Sequence, residues 1–172
     1  MTDVVIIGGG IVGAATAVHL LRAQPGLDVL IVEPDPSYAL ASTPRASGGV
    51  RQLFSRPENI AMSRYTLEVI AAWPEFAGAE APDLLWRPQG YLFIAAEGDR
   101  LWSNLEIQLS YGVRAEWLDP AGLAERFPWL AVRGLAGGVL SPDDGWLDPS
   151  AFLYGMLHAA TSLGARTLRD RV

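Results

Sequence analysis

The chain has 172 residues, half of them hydrophobic and 19% charged, a balance that supports an ordinary buried core and excludes a disordered chain. It has no cysteine, and its 13 basic residues are all arginine, which excludes disulfides, thiolate metal sites, cysteine nucleophiles, pyridoxal Schiff bases and P-loops. A net charge of −6 argues against a nucleic-acid partner, because neutralising phosphates takes clustered basic charge. The expectation is an acidic, soluble, cytoplasmic protein.

Residues 3–33 read as one βαβ unit. Val4, Val5, Ile6 and Ile7 form a continuous apolar run, the pattern of a parallel strand buried on both faces. Glycines at 8, 9, 10 and 13 follow, then Ala14, Ala17, Val18 and Leu21 at helical spacing, a stop at Pro25-Gly26, and a second apolar run Val29–Val32 closed by Glu33. Val4 to Leu21 carries no Asp, Glu, Lys or Arg, but its glycines and the absence of a basic stretch before it argue against a membrane span or signal peptide.

The stretch from Ser37 to Ser55 is rich in Ser, Thr, Pro, Ala and Gly and too long for a simple connection, which marks it as functional. Ser55 and Glu58 form a capping box, and Met62, Tyr65, Val69 and Trp73 recur at helical spacing, predicting a helix over 56–73 with that face inward. Composition shifts near Pro82. A strand is predicted within 86–96, interrupted by Pro88 and Gly90, then a helix over 99–111 with Trp102, Leu105 and Leu109 inward, and a short strand over 113–118. The stretch 119–144, dense in Gly and Pro, predicts an irregular antiparallel insert with one strand at 138–140. Asp148 then caps a helix over 149–163 with Pro149 at its first position, Phe152, Met156, Ala159 and Leu163 on one face, and Gly164 at its end. Ala165 to Leu168 begins another strand.

Gly8-Gly9-Gly10-Ile11-Val12-Gly13 fits GxGxxG, a weak pattern alone and a strong one between two apolar runs with an acid at position 33. Gly8 permits the tight turn, Gly10 lets the backbone approach a pyrophosphate, and Gly13 lets the helix pack on the strand. Glu33 would accept the adenosine ribose hydroxyls and repel a 2′-phosphate, which disfavours NADP. The turn alone leaves FAD and NAD open. His19 and His158 have no partner at metal-ligand spacing, so no metal site is expected. Turn and cap chemistry accounts for Asp143, Asp144 and Asp148, and no GxSxG supports serine hydrolysis.

The stretch Ala41 to Ser55, with Pro57-Glu58-Asn59-Ile60, Ser63, Gly90-Tyr91-Leu92 and Gly145-Trp146-Leu147-Asp148-Pro149, resembles the D-amino-acid, glycine and sarcosine oxidase superfamily of FAD-dependent oxidoreductases. It is most similar to the branch containing the mitochondrial FAD-dependent oxidoreductase-domain proteins. The resemblance implies an α/β fold: a Rossmann-like FAD-binding domain with an inserted, mainly antiparallel α+β portion of a substrate domain. It divides the chain into a FAD-binding part at 1–84, a substrate-domain portion at 85–140 and a return to the FAD-binding domain at 141–172. It corresponds to the N-terminal half of such proteins, so a second chain or a C-terminal half is expected to complete the fold.

The resemblance also assigns cofactor contacts to Gly8, Gly10, Ile11, Val12, Gly13, Glu33, Pro34, Ser42, Thr43, Arg45, Ser47, Gly48, Gly49 and Val50. Ser42 and Thr43 would lie along the ribityl and phosphate chain, and Gly48, Gly49 and Val50 against the isoalloxazine ring. Arg45 stands where the dimethylglycine dehydrogenase branch carries a flavin-linked histidine, which implies noncovalent FAD. Arg51 would stand at the flavin face as the catalytic residue, offsetting negative charge on the ring or clamping a substrate carboxylate. The implied reaction is oxidation of the C–N bond of a small amine or amino acid, sarcosine-, glycine- or dimethylglycine-like. The alternatives are a noncatalytic flavin-fold assembly protein and an NAD-dependent dehydrogenase.

Overall fold

The computed structural model describes residues 1–172 apart from the side chain of Asp99. The first half of the chain holds β1 (Val4–Ile7), α1 (Ile11–Ala23), β2 (Val29–Val32), β3 (Gly49–Val50), α2 (Pro57–Ala71), α3 (Trp73–Ala77) and β4 (Tyr91–Ala95). The second holds α4 (Asp99–Ser110), β5 (Glu116–Leu118), α5 (Pro120–Arg126), β6 (Gly137–Ser141), β7 (Gly145–Trp146), α6 (Pro149–Ser162) and β8 (Arg166–Leu168).

Met1–Gly48, Val69–Leu85 and Leu147–Val172 make one compact unit, and Gly49–Glu68 with Trp86–Trp146 make another. Compared with the division drawn from the sequence, 49–68 fall with the second unit, which also runs to 146 rather than 140.

In the first unit β1, β2 and β8 form a parallel sheet in the order β1-β2-β8, with Val4 opposite Val29 and Leu30 opposite Arg166. This is the βαβ unit legible in the sequence, extended by the strand after α6. One expectation fails: β1 is not buried on both faces, since Val5 and Ile7 are 53% and 69% exposed. Only the alternating Val4 and Ile6 are sheltered, the pattern of a strand covered on one side. The core lies on the covered side, where Ala14, Ala17, Val18 and Leu21 of α1 and Leu153, Met156, Ala159 and Ala160 of α6 are buried. The alanines let α1 and α6 pack closely. Asp148 caps α6 as read, its Oδ1 accepting from Ser150 N at 2.8 Å, with Pro149 at the first helical position. Leu163, placed on the inward face, is instead 40% exposed because the helix has ended before it.

In the second unit β4, β6 and β5 form an antiparallel sheet with β6 central, Phe93 opposite Val139 and Trp117 opposite Val139 on the other side. Leu53, Leu105 and Val139 are its buried core, with Tyr91, Phe93, Leu101, Ala115 and Trp117 packed against them. β3 and β7 pair as a separate antiparallel ribbon, Gly49 opposite Trp146 and Val50 opposite Gly145.

Two inward faces are corrected. Met62 and Tyr65 are 61% and 47% exposed, the buried residues of that helical stretch being Ile60, Val69 and Ile70, and Trp73 belongs to α3. On α4, Trp102 and Leu109 are about half exposed while Leu105 and Gln108 turn inward, Gln108 Nε2 donating to the Phe54 carbonyl at 3.1 Å. An amide that satisfies an inner carbonyl takes the place the apolar spacing assigned to leucine.

Candidate functional site

The glycine turn sits between β1 and α1. Gly8 has φ +95°, which favours glycine. A β-carbon on Gly13 would overlap the carbonyl oxygen of Gly8, so the close approach of helix to turn requires glycine there as well. Gly10, the N-cap of α1, offers no side-chain cap, and the first turn of α1 carries no acidic residue. Among the described residues no side chain caps the backbone N–H groups at Ile11, Val12 and Gly13, and Val12 is 78% exposed. A β-carbon on Gly8 or Gly10 would meet nothing within 4 Å. Donors, dipole and open space together fit a pyrophosphate.

Glu33, at the end of β2, is half-buried beside this turn. Its Oε2 accepts from Gly9 N at 2.8 Å and its Oε1 from Asp35 N at 2.9 Å. A carboxylate has about four acceptor positions, so ribose hydroxyls can still be bound while Glu33 fixes the turn. The sequence reading missed Tyr38. It is buried and left-handed (φ 54°), and its hydroxyl lies 2.6 Å from where a Gly9 β-carbon would stand. Burial first and the Glu33 carboxylate second raise its pKa. No periodic pattern marks it, since it lies in an irregular loop.

Pro34, Ser42, Arg45 and Ser47 are exposed and Thr43 is half-buried, its carbonyl accepting from Ala46 N at 3.0 Å. Gly48 is buried at φ +77° and its carbonyl accepts from Leu147 N at 3.0 Å. These residues belong to the first unit, whereas Gly49, Val50 and Arg51 belong to the second.

Arg51 is the unusual cation of the second unit. Its guanidinium lies 5.0 Å from the ring centre of Phe54, 5.2 Å from Phe93 and 5.9 Å from Tyr91. Its Nε is buried without a hydrogen-bond partner, and among the described residues no carboxylate pairs with it. Three aromatic faces stabilise the charge without neutralising it. A forked donor held this way is suited to a carboxylate or to negative charge developing nearby.

Asp144, assigned from sequence to turn chemistry, is instead wholly buried. Its Oδ2 accepts from Gln52 N and its Oδ1 from Gln52 Nε2, both at 3.0 Å. Its partner lies 92 residues away, beyond the reach of local pattern. Asp143 pairs with Arg114 at the surface. Among the described residues no cluster of His, Asp and Glu could hold a metal, and no helix is long and apolar enough to cross a membrane. His19 is exposed on α1 with its ring 6.0 Å from Phe76.

The parallel βαβ sheet, its glycine turn and the acid at the end of β2 define a dinucleotide-binding α/β protein. The chain belongs to the FAD dependent oxidoreductase family, whose model matches residues 3–172, and FAD is that family's cofactor. This sets aside NAD. The chain is 38% identical over 174 residues to the FAD-dependent oxidoreductase domain-containing protein 1 homolog of Drosophila melanogaster, covering 99% of this chain and 34% of that protein. It is 29% identical over 171 residues to the 4-methylaminobutanoate oxidase (formaldehyde-forming) of Paenarthrobacter nicotinovorans, covering 98% of this chain and 20% of that one. Among solved structures it resembles L-proline dehydrogenase from P. horikoshii, with a TM-score of 0.81 and 28% identity over 97% of this chain and 43% of that one. The chain thus spans about a third of the Drosophila relative's length.

Proposed function

We propose that the protein to which this chain belongs oxidises the C–N bond of a small amine or amino acid carrying a carboxylate, of the sarcosine, glycine or dimethylglycine kind. The carrying observation is Arg51, a cation held between Phe54, Tyr91 and Phe93 with no carboxylate partner among the described residues, directly after Gly48-Gly49-Val50. The named substrates of two similar proteins, 4-methylaminobutanoate and L-proline, each combine a secondary amine with a carboxylate, which supports the same class here.

The roles of the chain's residues follow from their chemistry. Gly8, Gly10 and the amides of Ile11, Val12 and Gly13 hold the pyrophosphate, and Glu33 the ribose. Pro34, Ser42, Thr43, Arg45 and Ser47 would hold the remaining length of a noncovalently bound cofactor, and Gly48, Gly49 and Val50 would offer the ring their backbone. FAD, when bound, supplies a two-electron acceptor. The substrate loses a hydride from the carbon next to nitrogen and a proton from nitrogen, and the C–N bond becomes C=N. Arg51 offsets negative charge on the ring and orients the substrate through its carboxylate, a contact that amines lacking a carboxylate cannot make. The cytoplasm is the proposed compartment, and the rest of the protein, in this chain or a second one, completes the substrate domain.

Anaerobic addition of N-methyl amino acids to the full-length protein tests the reading. Bleaching of the oxidised-flavin absorbance is expected with carboxylate-bearing amines and not with their decarboxylated counterparts. A spectrum unchanged by the whole panel would indicate a noncatalytic flavin-fold protein.

A further inference from the structure

We infer that Asp144 is a positioning residue for Arg51, holding the short segment 49–52 so that the guanidinium keeps its place. The inference rests on the reading that Arg51 acts at the flavin. β3 has only two ladder pairs with β7, too few to fix an arginine next to it. A buried clamp supplies the rest. Asp144, in the turn between β6 and β7, takes both the backbone N–H and the side-chain amide of Gln52, the residue after Arg51.

The same turn is itself anchored. The Asp144 carbonyl accepts from Gly90 N at 2.8 Å, just before β4, the strand that supplies Tyr91 and Phe93 to the Arg51 box. Tyr91 in turn abuts the segment at its other end, its hydroxyl 2.5 Å from where a Gly49 β-carbon would stand. One buried residue therefore ties together the backbone beside Arg51, through its carboxylate, and the start of the strand that forms the aromatic walls, through its main-chain carbonyl. A buried carboxylate met by amides and, among the described residues, paired with no cation is costly to keep ionised, whereas an ordinary turn aspartate stays at the surface.

The two Gln52 donors sit on different carboxylate oxygens, and Asn at 144 replaces one of those oxygens with an NH2 that faces a donor, so one half of the clamp is lost. In the full-length protein, Asp144→Asn should make the flavin's two-electron reduction about tenfold less favourable, a fall of about 30 mV in potential, because the displaced guanidinium no longer offsets charge on the ring. Gln52→Met removes only the side-chain half of the clamp and should give about threefold, which keeps the test open if Asp144→Asn folds poorly. Arg51→Ala is measured alongside. A lowered potential in Arg51→Ala with wild-type potentials in both clamp variants would overturn the positioning role alone. A wild-type potential in Arg51→Ala would overturn the reading beneath it.

Discussion

The carboxylate of Glu33 reaches across from the end of β2 to the backbone of Gly9, its Oε2 accepting that N–H at 2.8 Å. The residue assigned to the adenosine ribose thus also shapes the turn that receives the pyrophosphate. Removing it should cost about 1.5–3 kcal/mol, or ten- to a hundredfold in FAD affinity. Titrating apoprotein carrying Glu33→Ala with FAD checks this, and an unchanged dissociation constant would remove Glu33 from the site.

Gly13 and Gly10 should separate folding from binding. A methyl at position 13 overlaps the Gly8 carbonyl oxygen, so Gly13→Ala should lower stability by about 1–3 kcal/mol. A methyl at Gly10 meets no protein atom within 4 Å. Gly10→Ala should therefore melt close to wild type as apoprotein yet bind FAD at least tenfold more weakly, because the methyl stands where the pyrophosphate approaches. Thermal unfolding with and without FAD reads both effects. Equal affinity in Gly10→Ala would place the cofactor elsewhere.

Burial pushes the Asp144 carboxyl above the ordinary aspartate range, with the Gln52 donors opposing the shift. Between the unfolded and the folded values the folded state holds a proton that the unfolded chain has released. This group's contribution to stability is therefore greatest below about pH 4 and is lost as pH rises through the folded value. Asp144→Asn removes that dependence. Denaturant unfolding at about pH 4.5 and 7.5 should show wild type gaining on the variant at the lower pH, and a gap independent of pH would contradict a strained buried carboxylate.

Local signals made the βαβ unit and α6 readable: two apolar tetrads flank the glycines, and Asp148-Pro149 is a cap followed by a first-turn proline. The same signal stands at Asp119-Pro120, where Asp119 Oδ1 accepts from Gly122 N and opens α5. It was hidden by the surrounding glycines and prolines. β3 and β7 are two residues each, too short for any alternation to show. Tyr38 over Gly9 and Asp144 on Gln52 were illegible because their roles come from contacts that no periodicity encodes. Arg51 could be singled out by its place after Gly48-Gly49-Val50, but its aromatic walls come from two separate stretches of chain.

The most direct test of the account is stopped-flow flavin reduction in the full-length protein at saturating N-methyl amino acid, comparing wild type with Arg51→Ala and Arg51→Lys. A preorganised charge contact contributes about 1.4 kcal/mol or more in a dry site, so Arg51→Ala should be at least tenfold slower. Arg51→Lys should recover only part of the loss, because an ammonium cannot reproduce the planar fork. A rate for Arg51→Ala within twofold of wild type would contradict the account and leave this arginine as packing between Phe54, Tyr91 and Phe93.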